Sequence, residues 1–262
     1  MYIVIGMKKL DIINPFHNAP VWYTDTIDTT MRAAKELFTT EGQSGVVVSA
    51  GYQTAGRGRT NRRRWDSNPG DNLLLTLALG RKDFSGPLQL LPLLTGLGIA
   101  DLLESLFSIR PEIKWPNDLL INGRKICGIL CEAAGDCLLI GIGLNLWQQN
   151  FPPALASVSF PPTSVAAELP VAAEMDREEV IQKLLKALHH SYASDNWQEL
   201  LQRKLYGLHK EVVFTAGEAD GGETGAAGNR VSGVIQGISD DGGLVVNSTT
   251  WYAGEISSVK FQ

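Results

Sequence analysis

The sequence is poor in the residues that most often carry covalent or metal chemistry. Its 262 residues contain three cysteines and four histidines. Cys127 and Cys131 fall in one apolar run, about 13 Å apart along a strand and so too far to bond each other. Cys137 follows a turn and no histidine accompanies the three, so neither a zinc site nor a disulfide framework is written here. The thiols read as small buried hydrophobes of a reducing compartment. His17, His189, His190 and His209 all lie away from the glycine-rich stretches, which leaves Ser-His-Asp or Cys-His catalysis without a base. No secretory leader is expected, because Lys8 and Lys9 follow a short apolar run instead of preceding one. No run approaches the roughly 18 apolar residues of a membrane span, so a cytoplasmic protein with no membrane partner is expected. Basic charge is scarce overall, with a formal net charge of −5, which argues against a general polyanion binder.

Against that acidic background stands Gly56-Arg57-Gly58-Arg59-Thr60-Asn61-Arg62-Arg63-Arg64-Trp65, with five arginines and two glycines in ten residues. Glycine lets backbone approach an anion closely, and arginine offers a charge that does not titrate on a planar fork. The decapeptide reads as a mobile anion clamp, disordered when empty because its charges repel and nothing apolar before Trp65 anchors it. A solvated basic loop or a nucleic-acid contact would use the same residues.

Residues 1–20 are expected to form a short irregular lead, too short for a DNA-binding domain. Asp28 or Thr29 is expected to cap a helix running from Met31 to Phe38. Capping is the ordinary role, and a helix N-terminus flanked by hydroxyls also suits a carboxylate or ureido-type group; both hold together. Residues 46–50 read as a buried strand leading to Gln53, and residues 73–79 as a strand covered on both faces. The apolar stretch 88–107 is expected to be a core helix, weakened by Gly96 and Gly98.

Asn122-Gly123 between two apolar runs predicts a tight hairpin pairing residues 119–121 with 125–131. Lys114, between Ile113 and Trp115 in a run that Pro116 ends, is either a snorkelling edge lysine or a fixed charge aimed at an anion in a cleft. The arginine loop favours the second. Gly141 and Gly143 interrupt the strand 138–146 and mark a close approach of ligand or backbone, without the third glycine of a Rossmann fingerprint. Helices follow at 165–169, from the capping box Asp176 to Glu179, and at 197–205. Beyond Tyr206 short strands broken by turns predict a small separate β-barrel with a flexible Gly/Ala-rich insert from Ala216 to Asn229. The expected division is a lead (1–20), a main domain (21–205) and a C-terminal domain (206–262).

Taken in order, Gln53-Thr54-Ala55-Gly56-Arg57-Gly58-Arg59 with Trp65, Lys114-Trp115-Pro116-Asn117-Asp118, Arg124-Lys125 with Gly128-Ile129-Leu130, and Gly141-Ile142-Gly143-Leu144-Asn145 resemble the motifs of biotin protein ligases. The resemblance runs from Tyr23 to Phe261, and residues 251–257 resemble that family's SH3-like barrel. It implies an α+β fold with a mixed sheet like that of class II aminoacyl-tRNA synthetases, followed by that barrel. It also implies the monofunctional type, without an N-terminal DNA-binding domain. The arginine loop is one residue longer than is usual, Met31 stands where the family often has asparagine, and the Gly/Ala insert is atypical.

The implied reaction uses ATP and Mg²⁺ to convert biotin to biotinyl-5′-AMP, then acylates a lysine of the biotin carboxyl carrier protein of a biotin-dependent carboxylase. By resemblance, Lys114, Arg57 and Arg59 serve the reacting carboxylate and phosphate. Thr29, Thr30, Gln53, Gly56, Arg57, Gly58, Lys114, Gly128 and Gly143 bind biotin; Arg59, Trp65, Asn117, Lys125 and Asn145 lie toward the nucleotide. No role is carried over to Arg62, Arg63 or Arg64, no protein metal ligands are expected, and no DNA binding is expected. A homodimer is left open. A lipoate or octanoate ligase or transferase of the same architecture, and a nucleic-acid or regulatory binding module, are the alternatives.

Overall fold

The computed structural model describes residues 6–59, 64–169, 175–216 and 229–260. Thr60, Asn61, Arg62 and Arg63, and most of the Gly/Ala-rich insert, lie outside the described residues, and with them the expectations of a disordered arginine loop and a flexible insert. In chain order the elements are β1 (Lys8–Lys9), β2 (Val21–Ile27), α1 (Thr30–Glu41), β3 (Val46–Gln53), β4 (Asn72–Gly80), α2 (Leu91–Phe107), β5 (Glu112–Lys114), β6 (Asp118–Ile121), β7 (Arg124–Ala134) and β8 (Cys137–Asn145). Helices α3 (Val165–Glu168), α4 (Arg177–Tyr192) and α5 (Trp197–Lys204) follow, then β9 (Glu211–Ala216), β10 (Asn229–Ile238), β11 (Leu244–Val246), β12 (Thr249–Trp251) and β13 (Gly254–Lys260).

The first eight strands form one sheet in the order β1-β2-β3-β4-β8-β7-β6-β5, antiparallel except for the parallel β2–β3 pair. Central β4 is buried along its whole length, as its nearly continuous apolar run requires of a strand covered on both faces. Alternation along the strands then sorts side chains to two sides. Val47, Leu75, Leu77, Ile140 and Ile142 join the core built with α2 and α4, whereas Val46, Val48, Ala78 and Leu139 pack with α1 on the opposite face.

Helix α2 corrects one expectation from the sequence. Leu88–Phe107, whose most apolar 18-residue window has a mean hydropathy of 1.6, is long and apolar enough by length and composition to cross a membrane, although no such run was expected. Its most apolar stretch is 72% buried within the fold, so sheet and helices supply the apolar surroundings. Gly98 serves close packing here, since a Cβ at that position would lie 3.0 Å from Leu188 of α4. The lead is also more ordered than expected: β1 pairs with β2, Leu10, Phe16 and Ala19 are buried, and the Asn14 amide donates to the carbonyls of Ala19 and Gly45.

The hairpin at Asn122-Gly123 forms as its sequence demands, with both residues at positive φ and Ile121 facing Arg124. The last five strands make a second, antiparallel sheet in the order β12-β11-β10-β9-β13. It meets the main body through Trp115, whose indole N–H donates to Gly242 O at 3.1 Å. Leu184 of α4 is fully buried against the main core. Leu184→Ala is expected to lower unfolding free energy by roughly 2–5 kcal/mol through lost contacts and a residual cavity. Urea denaturation checks this, and an unchanged midpoint would contradict the packing described.

Candidate active site

Strand register builds the floor of the site. Lys114 of β5 lies opposite Asp118 of β6, Asp118 opposite Gly128 of β7, Gly128 opposite Gly143 of β8, and Gly143 opposite Leu74 of β4. Directly paired residues project from the same face, so this row places two charged groups beside a trough that lacks side chains. Helix α1 covers only one end of that face. The remainder lines a cavity of about 860 Å³, its open mouth included.

At the α1 end, Thr29 caps the helix by accepting from Arg32 N–H at 3.2 Å. Gln53 Oε1 accepts from the backbone N–H of Thr30 at 2.7 Å and from its hydroxyl at 3.1 Å, and Thr30 Oγ1 lies 2.8 Å from Thr76 Oγ1. These bonds tie the end of β3 to the helix start, leaving a polar wall facing Met31, which packs against Gly141.

The two ends of the arginine loop close the opposite side. Arg57 and Arg64 form an isolated antiparallel bridge, and Trp65 N–H donates to Gly56 O at 3.1 Å, making a short stem. Trp65 then lies over the trough: a Cβ on Gly143 would fall 2.5 Å from the indole, and one on Gly128 2.8 Å from it. Lys125 Nζ sits 5.7 Å from the centre of the Trp65 ring. At the mouth, Arg57 pairs with Glu132 at 3.3 Å, Arg59 donates to Gly254 O at 2.8 Å, and Arg64 donates to Thr54 O at 2.8 Å.

The deepest charge is Lys114, whose side chain is only 2% exposed. Its Nζ lies 3.4 Å from Asp118 Oδ2 and 4.7 Å from the centre of the Phe160 ring. Burial holds this ammonium below the ordinary lysine range, against the pull of Asp118 and Glu255. Asp118 also accepts from Lys125 at 2.6 Å. Burial alone would raise the Asp118 carboxyl, but Lys125 and then Lys114 outweigh it and leave the group below its usual range.

The cavity lining includes Thr29, Thr30, Gln53, Arg57, Gly58, Arg59, Trp65, Lys114, Asn117, Lys125, Gly128 and Gly143. Two residues expected there from the sequence do not line it. Asn145 turns its amide away, donating to Thr163 O at 2.9 Å, and Gly56 is closed off by its pairing with Trp65. Sequence reasoning also missed Arg64, Asp118 and Glu255, all of which line the cavity. Asp118 had a signal, a carboxylate facing a strand lysine across a Trp-Pro-Asn turn. Glu255 reaches the cavity from β13, about 140 residues beyond Lys114 along the chain, a distance that no local pattern spans. Five cations thus face two carboxylates, a net excess of three positive charges in an acidic chain.

A biotin–[acetyl-CoA-carboxylase] ligase of Paracoccus denitrificans is 32% identical over 225 residues, which cover 81% of this chain and 89% of that protein. The chain belongs to the biotin protein ligase family. The model of the biotin/lipoate A/B protein ligase family matches residues 23–145, which hold most of β2, strands β3 to β8 and all four motifs. The bifunctional ligase/repressor BirA of Bacillus subtilis is 37% identical over 180 residues, and the chain spans about half, 53%, of its length. Among solved structures, the biotin protein ligase from Aquifex aeolicus in complex with biotin and ATP superposes with a TM-score of 0.73 at 27% identity, covering 92% of this chain and 99% of that one.

The glycine trough gives a direct check on the geometry. Gly143→Ala puts a methyl group where the Trp65 indole lies, so Trp65 is expected to move out toward water. The difference in tryptophan emission between Gly143→Ala and the same variant carrying Trp65→Phe should shift to longer wavelength, compared with the same difference in the parent. An unchanged difference would contradict the placement of Trp65.

Proposed function

We propose that this protein ligates biotin to a lysine of a biotin carboxyl carrier protein through biotinyl-5′-AMP. The observation that carries this is the meeting of Lys114, Lys125, Arg57, Arg59 and Arg64 around one cavity whose other end is the polar wall of Thr30 and Gln53. The Paracoccus relative and the Aquifex complex with biotin and ATP support the same reading. The C-terminal sheet is read as an SH3-like barrel, residues 21–205 as the catalytic domain, and the cytoplasm as the site of action. No DNA contact is part of this reading.

In the first step the biotin carboxylate attacks the α-phosphorus of ATP, and pyrophosphate leaves. The carboxylate is already ionised at neutral pH, so no base has to act on it. The difficulty lies in bringing two anions together, which is a task of charge and position. Lys114, Arg57 and Arg59 face the reacting carboxylate and phosphate, and Lys125, Asn117 and Trp65 face the nucleotide. Thr29, Thr30, Gln53 and the glycine trough hold the vitamin. Mg²⁺ enters with the triphosphate, which supplies its oxygen ligands together with water. Among the described residues no group of three His, Cys, Asp or Glu is arranged to hold a metal. In the second step the carrier lysine attacks the mixed anhydride and AMP leaves. The arginine loop shields the anhydride from water until the carrier docks.

ATP–pyrophosphate exchange tests this directly. Exchange is expected with biotin and not with lipoate or octanoate, followed by labelling of a biotin carboxyl carrier protein. Lys114→Ala should reduce kcat/KM for exchange by roughly 2–4 kcal/mol, the scale of one lost electrostatic donor. Exchange with lipoate alone would overturn the substrate, and no exchange with any of the three acids would overturn the reaction.

A further inference from the structure

A carboxylate at the centre of a cavity built for anions needs an explanation. Asp118 is 7% exposed and opens β6 directly opposite Lys114 on one side and Gly128 on the other. Because Gly128 has no side chain, Lys125 folds back over it: its Nζ lies 3.2 Å from where a Cβ on Gly128 would be, and 2.6 Å from Asp118 Oδ1. The second oxygen, Oδ2, faces Lys114 Nζ at 3.4 Å. One carboxylate therefore spans two ammonium groups, its two oxygens divided between them. Buried pairs of this kind contribute little to stability compared with apolar packing, because desolvation offsets their attraction. A role in the chemistry is the better account.

We propose that Asp118 is a positioning residue for adenylation, a resident counter-ion that keeps the Lys114 ammonium charged in the empty site and aims Lys125 into the cavity until the substrate anions replace it. This rests on the adenylation reading above. The groups facing Lys114 are Asp118 from β6, Glu255 from β13, Lys125 from β7 and the Phe160 ring from the loop after β8. Lys125 disfavours a charge on Lys114, and Glu255 is the other carboxylate that favours one. Without the charge of Asp118, Lys114 is expected to lose its proton in the empty site and regain one when an anion binds.

The test reads that proton. Biotin and then α,β-methylene-ATP with Mg²⁺, whose α–β link cannot be cleaved, are titrated calorimetrically into the full chain at pH 8 in buffers of different ionisation enthalpy. Summed over both ligands, Asp118→Asn should take up on the order of one proton more than the parent. Asp118→Glu, which keeps the charge, should behave as the parent. In Lys114→Arg/Asp118→Asn the extra uptake should vanish, because a guanidinium stays charged. If Asp118→Asn does not fold, Asp118→Ser takes its place. Equal uptake in the charge-removing variant and the parent, or extra uptake that persists with arginine at 114, overturns the proposal. Failure of the adenylation reading shows separately, as absence of biotin-dependent pyrophosphate exchange in the parent protein.

Discussion

An ammonium group almost wholly removed from water is the constraint around which this cavity is arranged. Lys114 ends a short edge strand, β5, and lies almost fully buried where it lines the cavity. A charge in that position needs an opposite charge or a polarisable partner close by. It has Asp118 across the turn, the Phe160 ring, and the influence of Glu255 from the second sheet. Asp118 is local, but Phe160 and Glu255 come from distant parts of the chain, so the full set of partners needs the second sheet in place.

The second sheet accordingly takes part in the site and is more than an appendage. Gly254 accepts the Arg59 guanidinium, Glu255 lines the cavity, and Trp115, one residue beyond Lys114, bonds to Gly242. Arg59 and Trp115, the residue after Lys114, are therefore both fastened to segments of the second sheet that come more than a hundred residues later. Loop position, lysine position and the docking of the two sheets are coupled, and a change at any of them reaches the others.

Much of this was legible in the residues because the deciding signals were local. Asn122-Gly123 fixes a hairpin, Thr29 and Asp176 cap helices, and the nearly continuous apolar run of β4 marks a central strand. Gly143 marked a close approach, and its directly opposed register with Gly128 makes the trough. What escaped notice depends on pairing. Asp118 matters because antiparallel register puts it opposite Lys114, and Glu255 because a distant sheet docks here. Asn145 sits in the right motif, yet its amide satisfies the Thr163 carbonyl instead of facing the cavity. The apolar stretch of α2 shows the limit of composition from the other side, since hydropathy alone does not distinguish a core helix from a membrane span.

The central claim is that buried and loop-borne cations let two anions occupy one cavity at once. The coupling between the anions measures this most directly: the affinity of α,β-methylene-ATP with and without biotin, in the parent protein and in Lys114→Met. The account predicts that biotin leaves the analogue's affinity undiminished in the parent and weakens it about tenfold or more in the variant, a change of about 1.4 kcal/mol. Identical coupling in the two proteins would contradict it.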